Sequence, residues 1–369
     1  MQQSKPIYFP GLNGIRAIAA FMVIIAHTSN RLPLFNLQSI FSEDIATHAV
    51  TMFFTLSGFL ITYLLLAEKE KTGTIDIKKF YFRRILRIWP LYYTYLLIVI
   101  IISGFKIEWP ILFYLLILPN LRISFKALFD VSAGSANLMG MIGHYWSLGV
   151  EEQFYSFWPW LVKKSKNLIR ILLVLPVAYI VIKLVLRVFH APDGLITFFN
   201  YTRFGCMALG GLGAYLYFFH REKLKFLSHR FLEIATYLFF ILILTNNFHL
   251  TSLIDHEIVS VFTLILIYNQ IANKNVFISF ENKLMDFLGK ISFGLYVYHP
   301  LVIYVLSLVF FNHLTAYPIA KTILIFAIVP LATIVIAYFS YEYFEKWFLK
   351  FKTKYVTVKS AANKQESNV

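Results

Sequence analysis

The sequence predicts an all-α fold: a polytopic transmembrane bundle of about ten spans plus one short segment that is re-entrant or interfacial. Three observations predict it. Of the 369 residues, 59% are hydrophobic and only 14% charged, whereas a soluble domain carries about 25% charged residues. Apolar runs long enough to cross a bilayer recur from end to end. Lysine and arginine gather between those runs, so the net charge of +15 reads as membrane topology and lipid contact, not as a nucleic-acid surface. Aromatic residues reach 18%, which suits a lipid-embedded bundle with interfacial belts. The single cysteine, Cys206, excludes an internal disulfide and a cysteine-based metal cluster. No metal is expected.

The first span, about 11–30, opens with "GLNGIRAIAAFMVIIAH". It holds Arg16 and His27 and lacks a small-residue cleavage site, so it reads as a retained helix and not a signal peptide. The second, 46–67, contains Ser57-Gly58, where a small residue lets two helices approach closely. The third, 86–104, follows the most basic connection, with Lys69, Lys71, Lys78, Lys79, Arg83, Arg84 and Arg87. The piece "WPILFYLLILPN", 109–120, is too brief for an ordinary span. Spans follow at 141–162, 168–189, 200–219, 231–248, 256–272, 286–311 and 321–345. Further basic groups fall at 163–170, 221–230, 274–290 and 346–364, while the alternate connections carry few, such as Arg31, Lys106 and Arg122. The positive-inside rule places the rich connections and both termini in the cytoplasm, provided 109–120 does not cross alone. This pattern fits a bacterial inner membrane. Residues 1–350 form one membrane domain, and 351–369, polar and aperiodic, are expected to be a disordered cytoplasmic tail.

Ionisable groups within such spans cost about 2.5–3.5 kcal/mol at a helix centre, and so mark functional positions. Arg16 and His27 are eleven residues apart, within about 20° around the helix and separated by roughly 16 Å of rise. They suit an anionic ligand with a long arm, or equally an interfacial arginine plus a hydrogen-bonded histidine. Arg84 and Arg87 share a helix face beside Arg83; arginine forks bind phosphate, and also anchor topology at lipid headgroups. In "HYWSLGVEEQFYSFWPW", His144 and Glu151 lie seven apart on one face, and Glu152 points about 100° away. A buried carboxylate can orient an imidazole, or form a structural ion pair, with Arg203 a candidate partner. Ser57 either packs or donates to a substrate oxygen. His299 precedes Pro300, which frees a backbone carbonyl that His299 can satisfy.

These motifs resemble the acyltransferase 3 family of integral-membrane acyltransferases over about 10–345. They occur in order: "GLNGIRAIAAFMVIIAH", "FFTLSGFLIT", "RRILRIWPLYY", "HYWSLGVEEQFY", "RFGCMALGGLGA" and "ISFGLYVYHP", with "YFEKW" near the end. Asn13 stands where the family more usually has Asp, and Cys206 replaces a commonly acidic position. The resemblance implies transfer of an acyl group, acetyl the expected one, from acetyl-CoA or another acyl-CoA to a hydroxyl of an extracytoplasmic or lipid-linked glycan. It implies that Arg84 and Arg87, with Arg83 and Arg16, grip the coenzyme A phosphates. The pantetheine arm would run along the first helix in one tunnel to His27, as general base or acyl carrier. Glu151 or Glu152 would orient that imidazole. Without a hydrolase-like extracytoplasmic domain in this sequence, the membrane domain is expected to act alone or with a separate partner. The competing readings are a polysaccharide export component without acyl transfer, and a structural partner in glycan assembly. No pair of interrupted segments in matching halves supports the first.

Overall fold

A computed structural model describes residues 7–105, 109–125, 140–310 and 317–358. All the regular elements among them are helical. The long helices are α1 (Leu12–Asn30), α2 (Glu43–Thr72) and α3 (Ile77–Ile102). Two short helices follow, α4 (Ile111–Leu115) and α5 (Pro119–Ser124). Then come α6 (Trp146–Lys164), α7 (Leu168–Val188), α8 (Asp193–Tyr201) and α9 (Phe204–Phe219). The chain continues through α10 (Arg230–Leu244), α11 (Asp255–Ala272), α12 (Lys283–Lys290) and α13 (Ser292–Phe310). It closes with α14 (Pro318–Ser340), a π-turn at Tyr341–Glu345, and α15 (Lys346–Lys352).

Six helical segments among the described residues are long and apolar enough to cross a membrane: α1, α2, α3, α7, α13 and the run containing α14 and α15. A bent pair, Arg221–Ser228 with α10, makes up to seven. The expected count of ten is not reached among the described residues on length and composition. The segment at 141–162 passes through a 3-10 turn at Gly143–Tyr145 before α6 starts at Trp146, and carries Glu151 and Glu152; 200–219 is broken at Thr202 and Arg203, leaving α9 with 16 residues; 256–272 has Asp255 and Glu257 at its start. The brief apolar piece forms α4 and α5, of five and six residues, each too short to cross.

Helices α1 and α2 are the core of the bundle, 67% and 72% buried over their most apolar windows, against 28% for α7. The α2–α9 pair approaches closely because both supply glycine at the contact. A Cβ on Gly58 would overlap the Met207 carbonyl, and one on Gly210 would overlap that of Thr55. This is the close approach that Ser57-Gly58 predicted. Helix α3 is tied to its neighbours by tyrosines whose rings are buried and whose hydroxyls find backbone acceptors. Tyr92 donates to the Tyr114 carbonyl at 2.8 Å, Tyr95 to Met141 at 2.9 Å, and Tyr145 to Tyr92 at 3.0 Å. Each such bond is worth about 1 kcal/mol net.

The basic connections meet at one end of the bundle. Lys69 donates to the Val162 and Lys163 carbonyls at 3.1 Å, and Lys163 to the Ile75 carbonyl at 2.7 Å. Lys71 donates to Thr357, and Arg83 to the Tyr355 carbonyl at 2.7 Å. Residues 351–358, expected within an unstructured tail, are thus held against α3, where Tyr355 also stacks on Phe82. The rest of the expected tail, 359–369, lies outside the described residues, as does Lys106.

Candidate functional site

Arg83, Arg84 and Arg87 lie in the first three turns of α3, whose start is set by Asp76: its side chain accepts the Lys79 amide at 3.0 Å. Across from them stand Arg16 in the first turns of α1 and Glu151 in α6. All five line one cavity of about 1080 Å³ between α1, α2, α3, α6, α12 and α13. Its mouth is polar, with Lys283, Lys290, Glu281 and Lys346, and Ile7 and Val358, the two ends of the described chain, also line it. Its inner part is apolar, with Val50, Phe53, Phe54, Ile61 and Leu148.

The arginines differ in what already holds them. Arg83 is committed: its guanidinium meets the Glu68 carboxylate at 3.0 Å as well as the Tyr355 carbonyl, and Glu68 also accepts the Asp76 amide at 3.0 Å. Arg84 and Arg87 make no ion pair among the described residues. Arg84 lies over the Tyr155 ring at 5.0 Å and the Phe80 ring at 5.8 Å, which fixes its plane by cation–π contact and leaves its N–H edge for a ligand. Arg16 donates weakly to Asn13 Oδ1 at 3.4 Å, and Asn13 donates to Asp286 at 2.6 Å. Asparagine at position 13 can do both; an aspartate would set two carboxylates against each other. Lysines near the mouth are paired locally, Lys290 with Asp286 and Lys346 with Glu342, both at 2.6 Å.

Deeper along the cavity, Glu151 accepts hydrogen bonds from the Ser57 and Tyr155 hydroxyls. The inner end is closed by Ser147 and Tyr296, whose hydroxyls bond to each other at 2.6 Å, while the Tyr296 hydroxyl also donates to the His144 carbonyl at 2.9 Å. Behind that plug lies a histidine layer. The His144 ring is 5.2 Å from Tyr296 and 5.3 Å from His299, and neither ring nitrogen of His144 has a partner among the described residues. His299 is fully buried, and its Nε2 is 2.8 Å from His27 Nδ1. His27 Nε2 is 3.3 Å from Glu43 Oε1, whose side chain is 63% exposed. The imidazole therefore sits inside the bundle and opens toward the end opposite the arginines.

Four expectations need correction. The cavity does not run through to His27 as a single tunnel; the Tyr296–Ser147 pair and the histidine layer stand between. Glu151 and Glu152 do not orient His27. Glu151 sits beside Ser57 at cavity level, and Glu152, on the other side of α6, accepts from Trp89 at 3.0 Å. His144 and Glu151 do not act as a face-sharing pair either, because His144 falls in a separate 3-10 turn before α6 begins. Among the described residues Arg203 pairs with no carboxylate; it donates to the Thr47 carbonyl at 2.8 Å, Thr51 at 3.0 Å and the Asn200 carbonyl at 3.0 Å, and stacks on Trp146. His299 does turn back onto the turn before Pro300, at 3.3 Å from the Leu295 carbonyl.

Sequence reasoning missed Glu43, Tyr155 and Tyr296. Glu43 follows Ser42, whose side chain accepts the Asp44 amide at 3.1 Å, and so reads as an ordinary first-turn acid. The two tyrosines are lost among 23.

The profile of a family described as "Acyltransferase domain" matches residues 9–342. O-acetyltransferase OatA of Staphylococcus aureus (strain NCTC 8325 / PS 47) is 27% identical over 376 residues, covering 92% of this chain and 57% of its own. A protein of S. aureus (strain COL), named as a candidate O-acetyltransferase, is 28% identical over 328 residues, covering 81% of this chain and 51% of its own. The chain thus spans little more than half the length of these curated relatives. No solved structure matches.

Proposed function

Since the chain belongs to this acyltransferase family, matched over residues 9–342, we propose that it moves an acyl group from acyl-CoA to a glycan hydroxyl. Acetyl-CoA is the expected donor, and the acceptor is an extracytoplasmic or lipid-linked sugar. The observation that carries the reading is the pair Arg84 and Arg87, with Arg16, lining one cavity of about 1080 Å³ and unpaired by carboxylates among the described residues. Unpaired guanidinium forks are suited to phosphates. The apolar inner cavity suits the arm that follows. No metal-binding cluster occurs among the described residues.

In this scheme the phosphates rest on Arg84, Arg87 and Arg16, on the cytoplasmic side of a bacterial inner membrane, where both termini also lie. The thioester reaches the Tyr296–Ser147 plug. A swing of the Tyr296 side chain joins cavity and histidine layer, since its ring is already 5.9 Å from His299 and that ring 5.0 Å from His27. His27 then takes the acceptor's hydroxyl proton, the alkoxide oxygen bonds to the acyl carbon, and the C–S bond breaks. The proton returns from His27 to the leaving thiolate. Glu151, gripped by Ser57 and Tyr155, holds the cavity wall below the plug.

The test is free thiol released from acetyl-CoA by purified protein, with acetyl ester followed in the glycan fraction of added membranes. The reading expects both products from the wild type and neither from His27→Ala in correctly inserted protein. Glycan movement without thiol release would favour an export component instead.

A further inference from the structure

His27 has one partner on each ring nitrogen, and the donor capacity of those partners fixes where its hydrogens lie. Pro300 has no N–H, so the Tyr296 carbonyl four residues earlier loses its helical donor. The His299 ring folds back onto that turn. Its Nδ1 stands 3.3 Å from the Leu295 carbonyl. Carbonyls only accept, so Nδ1 of His299 carries the hydrogen and Nε2 of the neutral ring is bare. That bare Nε2 is 2.8 Å from His27 Nδ1, which must therefore donate. The nitrogen left without hydrogen in a neutral His27 is Nε2, and Nε2 points to Glu43 Oε1 at 3.3 Å. Glu43 also accepts from Asn30 Nδ2. In that tautomer the Nε2 lone pair faces the Glu43 carboxylate across 3.3 Å, so a proton that reaches Nε2 is met at once by a carboxylate.

We infer that His299 is a positioning residue that locks His27 as its Nδ1–H tautomer. The acceptor hydroxyl is then activated at Nε2 from the Glu43 end, opposite the donor cavity. Glu43, 3.3 Å from Nε2, stabilises the imidazolium that forms while Nε2 holds the transferred proton. The chemistry requires this tautomer. With hydrogen on Nε2, the nitrogen facing the acceptor has no lone pair to receive the hydroxyl proton. During transfer the proton moves from the hydroxyl to Nε2 as oxygen bonds to the acyl carbon, and from Nε2 to the thiolate as the C–S bond breaks. His299 keeps its own hydrogen throughout.

This inference rests on His27 as the base, and its test separates the two ideas. Histidine-15N spectra of the full chain in lipid nanodiscs would report the tautomer, with the His27 signal assigned by its loss in His27→Gln. The wild type is expected to show Nδ1–H. His299→Leu is expected to shift His27 toward Nε2–H and to lower acetyl transfer from acetyl-CoA to membrane glycans by about 10²-fold or more. His299→Gln places a carboxamide oxygen where it can accept from Nδ1–H, and is expected to restore the tautomer and much of the rate. If His299→Leu does not fold, the wild-type and His299→Gln spectra decide. An Nε2–H tautomer in the wild type, or full transfer in folded His299→Leu, overturns the inference. Transfer surviving in His27→Ala would instead overturn the proposed function.

Discussion

Arg83 and Arg84 are adjacent in sequence, both line the cavity, and removing each should fail in a different way. Among the described residues Arg84 has no carboxylate partner, and it lies over the Phe80 and Tyr155 rings. In the proposed site its truncation to alanine would remove one charge-assisted phosphate contact, worth about 1.5–3 kcal/mol. At 1.4 kcal/mol per tenfold, coenzyme A should bind about 10- to 100-fold more weakly. Screening at the water-facing mouth favours the lower part of that range. Arg84→Lys should recover part of the affinity, because the charge remains but the fork does not. Arg83→Ala instead strands Glu68, whose side chain is only 3% exposed. Breaking a buried pair costs about 3–5 kcal/mol, and the retained Asp76 amide bond to Glu68 favours the lower end. That loss should appear in thermal unfolding and folded yield, and Glu68→Gln in the Arg83→Ala background should recover some of it. Calorimetric titration of coenzyme A into detergent-purified variants, beside their melting curves, separates the two. Weakened binding in folded Arg83→Ala equal to that in Arg84→Ala would refute the division of roles, as would unchanged binding in Arg84→Ala.

Other residues give equally direct expectations. Gly58→Ala should destabilise the protein by about 1–3 kcal/mol, because its Cβ meets the Met207 backbone. Gly73→Ala meets nothing within 4 Å and should cost only the backbone strain of its positive φ, about 1 kcal/mol; similar melting temperatures for both would contradict the packing account. Glu151→Gln should lower acyl transfer more than Glu152→Gln, since only Glu151 lines the cavity and joins Ser57 to Tyr155. The reverse order in matched, folded samples would move the chemistry to the other face of α6. Tyr296→Ala should unplug the inner cavity and raise hydrolysis of acetyl-CoA by water above the wild-type rate. No change there would mean that the cavity and the histidine layer already communicate.

The long apolar helices were legible because hydrocarbon permits few alternatives: α1, α2, α3 and α13 lie close to where composition put them. The failures have a common cause. Helices α6, α9 and α11 are short or polar because their neighbours, more than lipid, satisfy them; Thr55 with Ser260 at 3.0 Å and buried Lys183 with Glu257 at 2.9 Å are examples. Hydropathy alone reads such segments as ordinary spans. At the site, periodicity put Arg84 and Arg87 on one face of α3, since one face of a helix is a local property; that Arg16 joins them at one cavity was only what the family resemblance implied. It could not supply the partner of His27. Glu43 is sixteen residues away along a turn, and His299 is 272 away, so their meeting is set by how α2 and α13 pack on α1. Nor could it reveal the plug, which depends on Ser147 and Tyr296 meeting across two helices.

The most direct measurement is a cryo-electron microscopy structure of the protein with a non-hydrolysable acetyl-CoA analogue. Phosphate density between Arg84, Arg87 and Arg16, with the acyl end against Tyr296 or beyond it beside His27, is the predicted result. Phosphates bound at the Glu43 end, or a ligand outside the cavity with the arginines untouched, would contradict the account.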